Sequence, residues 1–192
     1  MNSIALNSIP KKKILMARYI EFKKKYCRRL KLNIDPEAKF SEILKILTQL
    51  NFPGSPVKSE HITYAVLELI NNSMRAHRDK NIREKINADF EVKNSVLHIR
   101  LRDWGGGFNP ENLPYDLYTN PEKIDLNTKK FQEYRKKHGY TRFGMGLYVV
   151  KKTFSSFRLY FIDKEGNTVP WDPDKTAGTC IELEMDMEKN GE

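Results

Sequence analysis

The feature that most limits what this chain can fold into is a pair of runs in which apolar and polar residues alternate strictly. Ala88, Phe90 and Val92 take every second place in "NADFEVKN", and Leu97, Ile99 and Leu101 do so in "SVLHIRLRD". A period of two sends successive side chains to opposite faces, so each run predicts a strand with one buried face. Lys93-Asn94-Ser95 between them predicts a hairpin turn. The second run stops at Asp103, and Trp104 and the glycines Gly105, Gly106 and Gly107 follow. An isolated carboxylate just before so much bare backbone calls for a partner.

Around this hairpin the spacing is helical. Ile62, Val66, Leu69 and Ile70 form one stripe within residues 59–77, and "MGLYVVKKTFSSF" reads as another helix. "FRLYFID", a turn at Lys164-Glu165-Gly166-Asn167 and "GTCIELEMDM" predict two more strands. Near the start, Leu15, Tyr19, Phe22, Tyr26 and Leu30 recur at intervals of four, three, four and four, which predicts a helix across residues 10–31. Phe40, Ile43, Leu44, Leu47 and Leu50 predict a second helix, opened by Asp35-Pro36. "PGSP" at 53–56 predicts the boundary between a basic helical extension, 1–55, and a body, 56–192. Residues 108–143 are long, polar and weakly patterned, which predicts a lid or binding loop. The expected fold class is α+β: a two-layer α/β sandwich, with helices on one face of a largely antiparallel or mixed sheet, preceded by N-terminal helices.

Charge divides the chain at nearly the same place. Residues 1–58 hold 13 Lys/Arg against 4 Asp/Glu, the whole of the net charge of +9, while residues 59–192 hold 21 of each. The basic segment suits packing onto the body, a homodimer seam or a partner helix. Nucleic acid is the less favoured use, with Lys11–Lys13, Lys23–Lys25, Arg28 and Arg29 against phosphates, and an anionic membrane surface is a third. No apolar run approaches the ~20 residues of a membrane span. The first basic cluster follows the apolar stretch instead of preceding it, unlike a secretory signal. Cys27 and Cys180 lie far apart without metal-ligand spacing, so two reduced thiols in a cytoplasmic protein are expected.

Three stretches carry chemistry. Asp103 and its glycines leave a strand without opening a helix, and no Lys-Ser/Thr pair follows, so this is not a P-loop. A carboxylate repels phosphate but accepts well from an exocyclic amine such as that of adenine, and glycine lets backbone approach a flat ring. In "AVLELINNSMRAHR", Glu68 and Asn72 stand four apart and share a helical face. That pair can hold a water beside a hard divalent cation. In "RFGMGLYVVKK", Gly144 and Gly146 open a helix directly after the lid, where backbone amides suit phosphate.

In this order and spacing, the set resembles the ATP-binding domain shared by gyrase, histidine kinases, MutL and the anti-sigma-factor serine kinases, the GHKL or Bergerat-fold superfamily. The N box corresponds to "ELINN", the glycine boxes to "DWGGG" and "GMGL", and a final box to Ala177-Gly178-Thr179. The resemblance spans about residues 56–187. It implies that Asp103 accepts from the adenine amine, that Gly105 and Gly107 shape the pocket wall, and that Thr179 assists through water. It implies Asn72 as a ligand of Mg2+ on the phosphates of ATP, Arg75 as a phosphate contact, and Gly144, Gly146 and Leu147 as the second phosphate element. Of the lid bases, Lys136, Lys137 and Arg142 are within reach of phosphate, and the sequence does not choose among them.

Glu68 stands where hydrolytic and serine-kinase relatives keep the residue that activates water or a hydroxyl. The histidines are His61, His77, His98 and His138, none of them in residues 1–58 where a histidine kinase would carry its phosphoacceptor. With no transducer domain after the body, the resemblance implies a stand-alone ATP-dependent kinase or switch acting on a separate regulatory protein. The anti-sigma serine kinases are nearest in size and share the glutamate. They usually begin with a strand and carry a shorter lid. The alternatives are an ATP-gated binding module without turnover, or a nucleic-acid-associated ATPase.

Overall fold

The computed structural model describes residues 3–8, 18–138 and 145–187. The two alternating runs form β5 (Ile86–Lys93) and β6 (Val96–Asp103), paired from Lys93↔Val96 to Asn87↔Arg102. Asn94 and Ser95 join them with φ of 48° and 60°, both in the left-handed region of a tight hairpin turn. On one flank of this hairpin lies β3 (Lys25–Ile34), and on the other β9 (Gly178–Asp186), then β7 (Ser156–Ile162) and the short β8 (Thr168–Val169). β2 (Ile20–Phe22) and β4 (Leu50–Asn51) extend the sheet beyond β3, and β1 (Ser3–Ser8) pairs with β3 over Cys27–Asn33. Every pairing among the described strands is antiparallel.

Three helices cover one face: α1 (Phe40–Leu47), α2 (Ser59–Asp79) and α4 (Gly146–Thr153). The buried stripe of α2 includes Ile62, Val66, Leu69, Ile70 and Met74 and packs on Leu32, Phe90, Ile99, Leu101 and Leu183 of the sheet in a single apolar cluster. The opposite face is polar and alternates in charge from strand to strand. Arg29 pairs with Glu91 at 2.7 Å, Arg100 with Glu182 at 2.9 Å, and Arg158 with Glu182 at 3.1 Å. Each such exposed pair contributes little, about 0–1 kcal/mol. The two-layer α+β sandwich is therefore as expected, and no helix among the described residues is long and apolar enough to cross a membrane.

The first N-terminal helix is a correction. Within it, Ile20–Phe22 and the first part of Lys25–Ile34 form strands instead, while residues 9–17, which include Lys11–Lys13 and Leu15, lie outside the described residues. Leu30, Leu32 and Ile34 are buried at period two, with Lys31 exposed between them. The register to β1 passes from Arg29↔Asn7 to Cys27↔Ser8, so Arg28 is bulged out. A bulge resets the alternation, which turns both Cys27 and Leu30 inward, and the expected stripe joined Phe22 of β2 to Tyr26 and Leu30 of β3 across the hairpin. Lys23 and Lys24 close the β2–β3 hairpin at φ of 51° and 61°. The second expected helix is present as α1. Because β3 hydrogen-bonds β5 from Arg29↔Glu91 to Ile34↔Ile86, the sheet runs straight across the boundary expected at 53–56.

This register sets up a contrast between neighbours. Leu32→Ala will cost about 2–5 kcal/mol of unfolding free energy by urea denaturation, whereas Lys31→Ala will stay within about 0.5 kcal/mol.

Candidate functional site

β6 ends with Asp103 turned toward the helix layer and only 4% exposed. A buried carboxylate is costly unless hydrogen-bonded, and three donors meet this one. The Gly105 N–H donates to Oδ1 at 2.8 Å, the Ser73 hydroxyl of α2 donates to Oδ2 at 2.9 Å, and the Thr179 hydroxyl of β9 donates to Oδ2. β6 and β9 are adjacent, with Asp103 opposite Thr179 in register, which is why that contact is direct.

The glycines serve close packing at two positions. A methyl group on Gly105 would stand 2.7 Å from the Ala76 Cβ and 3.2 Å from the His77 ring, so only bare backbone lets the turn seat on α2. One on Gly178 would come within 2.0 Å of the Asp103 carbonyl oxygen. The Gly106 N–H also donates to the Ala177 carbonyl at 2.9 Å, tying the turn after Asp103 to the segment entering β9.

Above this floor is a cavity of about 700 Å³. Its lining includes Glu68, Asn72 and Arg75 from α2, Asp103, Gly105 and Gly107 from the turn, Gly146 and Leu147 from α4, and Thr179 from β9. The sequence separates these residues by up to 111 positions, from Glu68 to Thr179, and the fold brings them to one place. Gly144 and Arg142 lie outside the described residues. At one end of the cavity α4 begins against α2: a methyl group on Gly146 would be 3.1 Å from Glu68 Oε2 and 3.3 Å from Asn72 Nδ2. Both side chains are otherwise open to the cavity.

The expected lid contains two short 3-10 turns, at Pro110–Asn112 and Pro121–Lys123, and a helix the sequence did not suggest, α3 (Lys129–Lys137). Phe131 of α3 is 1% exposed and stacks on Tyr115, with ring centroids 5.6 Å apart. The Lys151 ammonium of α4 donates to the carbonyls of Leu117 and Thr119, each at 2.5 Å. Burial lowers its pKa, consistent with an amine stapled beneath the lid. Of the expected lid bases, Lys137 lines the cavity, alongside Tyr134 and His138, and Lys136 does not.

Sequence reasoning missed Ser73 and His77. Both continue the apolar stripe of α2 toward its C-terminal end and are buried, His77 completely. The His77 imidazole accepts a hydrogen bond at Nε2 from the Trp104 N–H at 3.0 Å. Polar residues at positions where the helical period demands apolar ones were the available signal.

The chain matches the family model of the histidine kinase-like ATPase domain over residues 33–170. A search of curated proteins gave no match. With that match spanning well over half its length, the chain belongs to the histidine kinase-like ATPase domain family, and membership supports ATP binding. The matched span begins within β3, so it too crosses the expected boundary at 53–56.

Removing one donor from a buried carboxylate costs about 1–3 kcal/mol. Ser73→Ala and Thr179→Val will each lower the urea midpoint accordingly and weaken ATP, with the double variant worse than either.

Proposed function

With family membership as the premise, we propose that the chain binds Mg-ATP in this cavity and transfers the γ-phosphoryl group to a hydroxyl on a separate regulatory protein, as the anti-sigma serine kinases do. The observation that carries the reading is the meeting of Glu68, Asn72 and the start of α4 at one end of a cavity whose other end holds a buried carboxylate. The base end is then at Asp103 and the phosphate end at Glu68.

In this arrangement Asp103 accepts from the adenine amine with lone pairs that Ser73, Thr179 and Gly105 leave free, and those three donors hold its charge in place. Gly105 and Gly107 form the wall beside the ring. Arg75 and Lys137, both lining the cavity, supply positive charge for the phosphates, and the first amides of α4, at Gly146 and Leu147, point along the helix dipole toward them.

The metal environment is sparse. Among the described residues no group of three His, Cys, Asp or Glu could hold an ion. A cation held by the Asn72 carboxamide must take its other ligands from phosphate and water, which suits Mg2+. When bound, Mg2+ neutralises charge on the transferring phosphoryl group.

Glu68 then acts as the proton acceptor. The partner's hydroxyl oxygen forms a bond to the γ-phosphorus, the bond from that phosphorus to the bridging oxygen breaks, ADP leaves, and the hydroxyl proton passes to the Glu68 carboxylate. Lys23, Lys24 and Lys25, at the β2–β3 hairpin, lie at the end of β3 remote from Asp103 and are open to a partner.

Titration calorimetry of Mg-ATP into the protein, beside Asp103→Asn, tests the pocket. Saturable binding by the wild type and a roughly 10–100-fold loss in the variant are expected from the lost charged acceptor. No binding by the wild type would refute the reading. Glu68→Ala will keep the affinity but lower phosphoryl transfer or ATP turnover by about 10²–10⁴-fold. Unchanged partner function in that variant would leave nucleotide-gated binding as the activity.

A further inference from the structure

His77 is the one completely buried titratable side chain on α2, and no step of the proposed chemistry uses it. We infer that His77 is a positioning residue: its neutral imidazole holds the Asp103–Gly105 turn in its binding geometry, and protonation releases that turn, so that nucleotide affinity falls in acid. The inference rests on the nucleotide reading of the cavity.

The geometry is specific. Trp104 is the residue between Asp103 and Gly105, and its backbone N–H donates to His77 Nε2 at 3.0 Å. The same ring lies under Gly105, close enough that a methyl group there would be 3.2 Å from Cδ2. Trp104 is tied on its other side by its own neighbours, Asp103 to Ser73 and Thr179, and Gly106 to Ala177. His77 is therefore the attachment of the middle of the turn to the helix layer.

An imidazole accepting at Nε2 carries its proton at Nδ1. Nδ1 makes no hydrogen bond among the described residues, while the backbone of Ile82 and Glu84 in the loop after α2 favours the charged ring. A second proton would convert the acceptor at Nε2 into a donor pointing at an N–H, and that contact cannot survive.

The groups that act on the ring from the packed elements are Asp103 on β6 and Glu84 in the loop after α2, both of which favour the charged form. Burial opposes them and is the larger influence, so His77 titrates below its ordinary value of 6.5. The sign follows. The folded pKa lies below the unfolded one, so the turn is fully held above about pH 6.5 and is lost as pH falls through the lowered folded value.

The decisive comparison is wild type, His77→Gln and His77→Phe, each followed from pH 8 to pH 5 by Mg-ATP affinity. Hydrogen-exchange protection of the Trp104 amide, measured without nucleotide, is the second readout. Glutamine offers a carbonyl acceptor that does not titrate in this range; phenylalanine offers none.

The wild type should lose roughly tenfold or more in affinity below pH 6.5, with Trp104 protection falling in parallel. His77→Gln should keep both with little pH dependence. His77→Phe should be weak and unprotected at every pH. A pH profile in His77→Gln that matches the wild type would overturn the inference, as would full Trp104 protection in His77→Phe. If the wild type fails to bind Mg-ATP at pH 8, the nucleotide reading fails. The amide titration then still decides whether His77 holds the turn.

Discussion

The buried carboxylate of Asp103 is the constraint on which the rest of the molecule turns. Desolvating a charge is expensive, and this structure meets the cost with donors from separate parts of the chain: α2, β9 and the turn itself. Each donor is placed by a different element of the fold. The helix layer must sit over the end of β6 for Ser73 to reach, and β9 must lie in register with β6 for Thr179 to reach. Asp103 is thereby the point at which helix layer and sheet are locked together.

Much of this was legible in the sequence, for a stated reason. Strict alternation identified β5 and β6, and the i, i+3, i+4 stripe identified α2, because in both segments the hydrophobic pattern had one period throughout. Segments of mixed period misled. The apparent stripe joined Phe22 of β2 to Tyr26 and Leu30 of β3 across a hairpin turn, and the bulge at Arg28 broke the strand alternation, so the helical template fitted residues 15–30 better than the strand template did. The compensating clue was the run Leu30, Leu32, Ile34, which belongs to a strand. In the site, Glu68, Asn72, Asp103 and Gly146 were singled out by residue type and spacing, and Thr179 only through the family resemblance. Ser73 and His77 were invisible as polar residues in a polar-looking helix; only their place on its buried stripe marks them. The helix α3 was hidden because it has one buried residue, Phe131, and so no apolar stripe.

The charge asymmetry takes on a different meaning once β3 is a strand. Part of the excess of Lys and Arg in the first third is spent inside the sheet, where Arg29 and Lys31 face Glu91 and Asp89 of β5. Basic and acidic strands then alternate across the open face, through Arg100, Glu182 and Arg158. A face neutralised this way offers little attraction to a polyanion as a whole. Outside the ladder, Lys23, Lys24 and Lys25 cluster at the β2–β3 hairpin, whose turn tolerates two left-handed lysines where glycine or asparagine would sit more easily.

The position of β9 has a consequence for the order in which the molecule is assembled. β9 is inserted between β6 and β7, so the hairpin of β5 and β6 cannot meet β7 until a segment 76 residues downstream of Asp103 has arrived. Contacts across such separations close late, because the entropy of the intervening loop is lost before they return anything. During synthesis the glycine turn and α2 exist before Thr179 does. A chain caught at that stage holds Asp103 with only its Ser73 and Gly105 donors and the edge of β6 open, vulnerable to pairing with another chain. The last donor to Asp103 and the cover for the edge of β6 therefore arrive together, in one strand.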